Sequence, residues 1–500
     1  MTPIAPTGSA SQSRALVSAV WILLAIVACS SMLLLNGRPL FYFDTVGYVD
    51  QGNTALAQLG VIAPPPKTLE TAASEIGSGG AVRTVDGSRS AFYSVLAAAF
   101  SHLGMLEGVL VVNAVAMFLA VGLMARLTIR LCAPRGSPVV LACWGLIAAS
   151  AGSLPFYFAY LMPDLLAPVL ILSIAMLTGF GRDMSRRELG LAFGLGAFAI
   201  ISHLSHFAIA GLMFLASVAL SLLASRQRWW VGPLLVLAIL GVAYGQEKAL
   251  RLVAQSAAKS EVIIKPYITA RLIQDGPGLR YLETHCPNPE IPTCALYEAL
   301  QWSKDPYRLT ASHIIFEHSQ RLGSFKLMTP ENQKAVAQAQ LGFLVEVLKD
   351  RPVATLAAFV RNSLLQSSMV SVDMTLPSEK MVVSNASVTG ALSGPLVQGR
   401  LANGDGWLTP LVRVQESYYL GALAVALVLI WSPRTLPVGM KVFVLMVVLG
   451  ILANAFVCGG ISQPATRYGA RVIWLLPMVA AMLFYLVLFS PGDSSGEASQ

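Results

Sequence analysis

The sequence predicts an all-α polytopic membrane protein of about ten transmembrane helices, and three observations predict it. Hydrophobic residues make up 55% of the 500-residue chain and charged ones only 12%, whereas a soluble domain needs roughly 25% charged residues. Apolar runs approaching the 20 or so residues that cross a bilayer core of about 30 Å recur along the chain. The net charge of +8 is spread over the short connections between these runs rather than gathered on one face. It therefore speaks for membrane topology and against a nucleic-acid partner.

In chain order the runs cover approximately 15 to 35, 107 to 127, 138 to 154, 161 to 180, 189 to 202, 205 to 224, 230 to 246, 409 to 431, 441 to 458 and 469 to 489. Arg126, Arg130 and Arg135, then Arg182, Arg186 and Arg187, then Arg226 and Arg228, then Arg434 and Lys441 fall on one side of alternating crossings. The positive-inside rule makes that side the cytoplasm and puts both termini there. Two long segments then face outward, 36 to 106 and 247 to 408. The expected division is a transmembrane module over 1 to 246 containing the first outer loop, an extracytoplasmic, mostly helical domain over 247 to 408, and terminal helices with a cytoplasmic tail over 409 to 500. Residues 353 to 370 are apolar but interrupted by Arg361, Asn362 and Gln366, which reads as an interfacial helix rather than an eleventh crossing. "VIAPPPKTLETAASEIGSGG" reads as a mobile loop.

The six cysteines divide by compartment. Cys29, Cys132, Cys143 and Cys458 sit in or beside apolar runs, where cysteine serves as a small hydrophobe. "IVAC" at 26 to 29 resembles a lipoprotein cleavage box, but nine further spans follow and a retained first helix suffices. Cys286 and Cys294 lie in the outer domain, where a disulfide persists; a zinc pair is the alternative, with only His285 nearby to complete it.

The charged residues at the outer boundary carry the functional reading. In "FYFDTVGYVDQG", Asp50 precedes polar residues and reads as solvated, while Asp44 lies among Tyr42, Phe43 and Tyr48 at the end of the first span. Holding a carboxylate there is unfavourable unless it has a partner or a task, and general base is one such task. Arg89 leads a short amphipathic helix in "DGSRSAFYSVLAAAFSHLG", too brief to span. Asp164 in "YLMPDLLAPVLIL" suits either a helix first turn or a site. His203 and His206, three apart in "ISHLSHFAIA", read as hydrogen-bonded boundary histidines or as part of a metal pair that lacks a third ligand. Arg467 and Arg471 share one face at the start of the last span, where the helix dipole disfavours cations. Something anionic should lie close, a lipid headgroup or a bound phosphate.

Taken in order, the first span, "FDTVGYVDQG", "SRSAFYSVLAAAF", "LMPDLLA", "HLSHF" and "RYGARVIWLLP" resemble the integral-membrane glycosyltransferases of the GT-C superfamily. The resemblance covers roughly 15 to 246 and the last span; it departs at Thr45, where many relatives carry a second acid, and 247 to 408 match no domain of known role. It implies transfer of a sugar from a polyprenyl-phosphate-linked donor to an acceptor hydroxyl of an envelope glycan, lipid or protein. Asp44 would be the catalytic base, and Arg89, Arg467 and Arg471 would bind the donor phosphate. Tyr48, Asp164, His203 and His206 would line the site. The cofactor is left unassigned, with a divalent metal as one option. The implied location is the bilayer of a bacterial inner (plasma) membrane, crossed many times. No Gly-rich phosphate loop and no G-x-S-x-G elbow accompanies these residues, which argues against a nucleotide-sugar enzyme or a serine hydrolase. The alternatives are a transporter or flippase of lipid-linked intermediates and a catalytically inactive GT-C-like scaffold; no internal repeat favours the first.

Overall fold

A computed structural model describes residues 9–63, 84–133, 136–224, 230–258, 261–379, 381–382, 397–401, 406–431 and 436–489. The expected mobile loop falls almost wholly outside the described residues, as do Arg135, Arg226, Arg228, Arg434 and the C-terminal tail.

All ten apolar runs form helices. The helices in the first half are α1 (Ser9–Asn36), α2 (Phe43–Gln58), α3 (Ala91–His102), α4 (Gly108–Cys132), α5 (Pro138–Ser150), α6 (Leu154–Phe158), α7 (Leu166–Phe180), α8 (Arg186–Ser202), α9 (Leu204–Leu223) and α10 (Val231–Ala258). Eight helical segments of the described chain are long and apolar enough to cross a membrane. The two remaining runs are shorter. The run from 138 breaks after the 13 residues of α5, because Pro155, in the first turn of the separate α6, has no N–H to continue the i to i−4 ladder. α8 has 17 residues and opens on a capping box in which Ser185 and Glu188 satisfy each other's backbone N–H groups. Glu188 also receives Arg130 at 2.8 Å, tying the α4 end to the α8 start.

The apolar core runs through α4, α7 and the C-terminal helices. In the span containing α7, Pro163–Asp183, a window of 18 residues is wholly buried. Phe180 stacks on Phe443 with centroids 5.0 Å apart. A second, separate core fills the polar region that follows α10. It is built from α11 (Tyr267–Asp275), α12 (Pro277–His285), α13 (Thr293–Leu300), α14 (Ala311–Phe316) and α15 (Pro330–Asp350), around Leu282, Leu296, Ile314 and Val336. Cys286 and Cys294 are joined by a disulfide with Cα atoms 5.5 Å apart.

The segment expected to be interfacial is α16 (Pro352–Ser368). Val353, Leu356, Val360 and Leu364 face away from the protein, while Asn362 and Gln366 point inward and are buried. This polar-in, apolar-out pattern is that of a helix bordering lipid. Its inner face meets the end of α18 (Val438–Gly460), which follows α17 (Leu408–Ile430): a Cβ on Gly459 would stand 2.5 Å from the Asn362 carbonyl oxygen, so only glycine admits this approach. The chain closes with α19 (Thr466–Ile473) and α20 (Leu475–Phe489).

One feature departs from the all-helical expectation. Thr84–Asp86 and Glu261–Ile263 pair as a two-stranded parallel ladder, Thr84 opposite Glu261. The pairing continues through Gly87 N–H to the Ile263 carbonyl at 2.8 Å and Lys265 N–H to Ser88 Oγ at 3.0 Å. It fixes the backbone immediately before Arg89.

Candidate functional site

Asp44 occupies the first turn of α2, where the helix dipole favours a carboxylate. The preceding strand-like residue Leu40 bonds Ala159 and Leu161 at 2.7 and 2.8 Å, which holds this entry against Tyr160. Asp44 Oδ1 accepts from Arg89 Nη2 at 2.9 Å, and Oδ2 accepts from Arg467 Nη2 at 2.8 Å. Residues 44, 89 and 467, distant in sequence, thus meet in one cluster. Burial alone would raise the Asp44 carboxyl, but the Arg467 and then Arg89 guanidiniums hold it well below the usual carboxylate range. It is ionised at any physiological pH.

Each arginine is placed by neighbours to which pattern reading gave no such role. Gly47 lies one turn beyond Asp44, and a Cβ there would stand 2.4 Å from Arg89 Cζ, so the guanidinium crosses α2 where no side chain blocks it. Gln51 Nε2 donates to the Arg89 carbonyl at 3.2 Å, and Ser90 caps α3 through Tyr93 N–H. Arg467 is sandwiched between Tyr42 and Tyr468, 4.4 and 4.9 Å from the ring centroids. Its backbone carbonyl accepts from Tyr157 Oη. Gln366 of α16 clamps the residue before α19, donating to the Ala465 carbonyl at 2.9 Å and accepting from Ala465 N–H at 2.8 Å.

Among the described residues, some buried polar atoms at this cluster have no hydrogen-bond partner. Arg467 Nη1 is buried without a hydrogen bond, and so is the Tyr160 hydroxyl. Tyr160 lies within electrostatic reach of Arg467, Asp164, Tyr42 and Asp44, while burial pushes its hydroxyl well above the usual tyrosine range. A hydrogen-bond donor and a charged donor left unmatched beside a carboxylate retain the capacity to bind one more set of acceptor oxygens.

Arg471, one turn along from Arg467, sits apart from Asp44 in a deeper layer. It is fully buried, with Nε and Nη2 on Asn454 Oδ1 at 3.0 and 2.8 Å, Nη1 on Asp164 at 3.4 Å and Nη2 on Ser205 at 3.1 Å. Its nitrogens are engaged inside the protein. Asp164 is 1% exposed, and its Oδ2 has no hydrogen-bond partner among the described residues. His203 caps α9, its Nδ1 accepting from Ser205 N–H at 3.1 Å. His206 Nδ1 bonds the Ala199 carbonyl at 2.6 Å, and the two rings lie 5.2 Å apart. Tyr48 packs edge-on against Tyr93 with centroids 5.3 Å apart. Asp50 is exposed; surrounding protein raises its carboxyl to about 6 despite Arg89, yet its side chain reaches solvent.

The donor set does not suit a divalent metal. Guanidiniums occupy both Asp44 oxygens, and the described residues gather no group of three His, Cys, Asp or Glu side chains.

Fold and site together define an all-α polytopic membrane protein with a carboxylate held between two arginines at one end of its helix bundle. No family model and no curated protein matches the chain. Among solved structures it is similar to ArnT from Cupriavidus metallidurans in the apo state, at 13% identity and a TM-score of 0.33 over 96% of this chain and 78% of that one. It is similar also to ArnT from the same organism bound to undecaprenyl phosphate, at 13% identity and a TM-score of 0.32 over 94% and 77%. A superposition this loose leaves the chemistry to be argued from the residues themselves.

Proposed function

We propose that the protein is a membrane glycosyltransferase that moves a sugar from a polyprenyl-phosphate-linked donor to an acceptor hydroxyl on the outer face of the membrane. The observation that carries this reading is the Asp44 carboxylate bridged by Arg89 and Arg467, with one Arg467 nitrogen still unmatched. The acceptor oxygen attacks the anomeric carbon as its proton passes to Asp44. The anomeric carbon–oxygen bond breaks, and its electron pair leaves on the polyprenyl phosphate. Negative charge grows on that phosphate, where preorganised guanidiniums in a partly dry site stabilise it better than water does.

With both arginines on it, Asp44 is a poor proton acceptor. A donor phosphate competes for the same two forks, and as they turn toward it the carboxylate regains basicity, so the base is armed when the donor is in place. Arg471 supports this arrangement from beneath as a positioning residue, its nitrogens being engaged by Asn454, Asp164 and Ser205.

The test is sugar transfer from a polyprenyl-phosphate donor, with membrane levels of each variant matched. Asp44→Asn keeps the shape and removes the basic oxygen, so transfer should fall by roughly 10² to 10⁴. Asp50→Asn should change it several-fold at most. Undiminished transfer in Asp44→Asn, or inactivity confined to Asp50→Asn, would remove the assignment.

A further inference from the structure

The second core holds one charge that the Asp44 cluster and the local packing leave unexplained. Arg308, in the single turn Pro306–Leu309, is 1% exposed. Its Nη1 donates to the Gln320 carbonyl at 3.3 Å, and its guanidinium carbon stands 5.9 Å from the Trp302 ring centroid. Neither Nε nor Nη2 has a hydrogen-bond partner among the described residues. The acids close by in sequence are committed elsewhere: Asp305 pairs with Arg321 at 2.5 Å and caps Tyr307 N–H, and Glu317 accepts from His318 and Ser319 N–H groups. Ser324, on the connection that carries Gln320, also buries a hydroxyl without a partner.

A guanidinium withdrawn from water without a counter-charge is strongly unfavourable, and buried arginines are paired almost without exception. One long bond to a carbonyl and a distant ring do not replace a carboxylate. The geometry of the shortfall is informative. Nε and Nη2 form one edge of the guanidinium, the edge that Arg271 offers to the two oxygens of Asp275 elsewhere in this core. At Arg308 the same edge is unfilled. Beside it, Trp302 is 54% exposed and Tyr307 67% exposed, leaving broad apolar faces to solvent.

We propose that Arg308 is an oxyanion-binding site whose ligand bears a phosphate or carboxylate, a sugar phosphate being the class that suits an arginine fork beside exposed aromatic rings. Trp302, lying over the guanidinium at the surface, is its movable cover. The site is separate from the Asp44 cluster and does not depend on the transfer reaction.

The experiment is thermal unfolding of the full-length protein in nanodiscs of zwitterionic lipid, with inorganic phosphate, glucose 1-phosphate or glucose added. Both phosphates should raise the wild-type midpoint by about 3 °C or more, and glucose should not. Arg308→Met should shrink that shift to what the arginines of the Asp44 cluster alone supply, and an Arg308→Met/Arg467→Ala pair should show a smaller shift than Arg467→Ala alone. The unliganded midpoint of Arg308→Met should equal or exceed the wild-type value, because an apolar chain of similar length replaces an unpaired charge. Arg308→Lys, charged but unable to fork, should keep a smaller shift. In discs of anionic lipid without added phosphate, a wild-type midpoint raised relative to Arg308→Met would support the site and identify a lipid headgroup as the source of the oxyanion. A shift undiminished in Arg308→Met, the absence of any wild-type shift in either lipid, or failure of Arg308→Met to fold would each overturn the proposal.

Discussion

At the scale of single residues, the Asp44 cluster depends as much on an absent side chain as on its charged ones. Gly47 leaves the surface of α2 bare where Arg89 crosses it, and an added Cβ would overlap the guanidinium at 2.4 Å. The atom it meets is the end of a flexible chain, so the fold need not yield; Arg89 would. Gly47→Ala should therefore leave thermal stability unchanged or raise it, since alanine is preferred in a helix interior by up to about 1 kcal/mol. Transfer should nonetheless fall, by about tenfold or more in KM for the donor, as Arg89 leaves Asp44. Equal transfer in the alanine variant would show that Arg89 need not occupy this position. Residue chemistry marked Asp44, Arg89 and Arg467 as charges out of place at a membrane boundary, which is why a single sequence could single them out. Gly47, Tyr160 and Asn454 carry no such mark: a glycine, a tyrosine and an asparagine are ordinary where they stand until the contact is seen. Arg467 and Arg471 look equivalent by spacing, and only packing separates the one facing Asp44 from the one sealed against Asn454.

At the scale of elements, hydropathy located every helix long and apolar enough to cross a membrane among the described residues, but not the joints between them. The run from 138 ends early at a proline-led turn, and the short parallel ladder at 84–86 and 261–263 joins segments too brief for any period to register. The role of α16 was half legible. Its interrupting Arg361, Asn362 and Gln366 argued against a crossing, but their function appears only in three dimensions. Asn362 reaches Asp275 of the second core at 2.7 Å, and Gln366 grips Ala465 ahead of α19. The helix is a strut between the second core and the segment that carries Arg467. Gln366→Leu fills a similar volume and deletes both bonds, leaving a half-buried carbonyl and N–H without their side-chain partner at about 1 kcal/mol. The expected result is a lowered unfolding midpoint together with transfer reduced by more than the loss of folded protein accounts for. A variant as active per folded molecule as the wild type would mean that α19 holds Arg467 without the strut.

At the scale of the whole molecule, the proposed chemistry needs the Asp44 cluster and the second core on the outer face, the orientation that the positive-inside rule leads one to expect from the arginine-bearing connections. Glu283 is exposed on the second core. In Glu283→Cys, a membrane-impermeant thiol reagent applied to intact cells should label the new cysteine. Labelling only after the membrane is opened would invert the topology and move the site to the cytoplasm. The contact that completes the cluster also sets a timetable for making the protein. Asp44 and Arg467 are 423 positions apart, and at about 5 to 20 residues per second a ribosome delivers the second roughly 20 to 85 s after the first. Throughout that interval the aspartate emerges, enters the membrane boundary and waits without its second arginine. A polypeptide released early, at any point before the last helix, carries an unfinished clamp, so only a chain translated almost to its end can hold a donor.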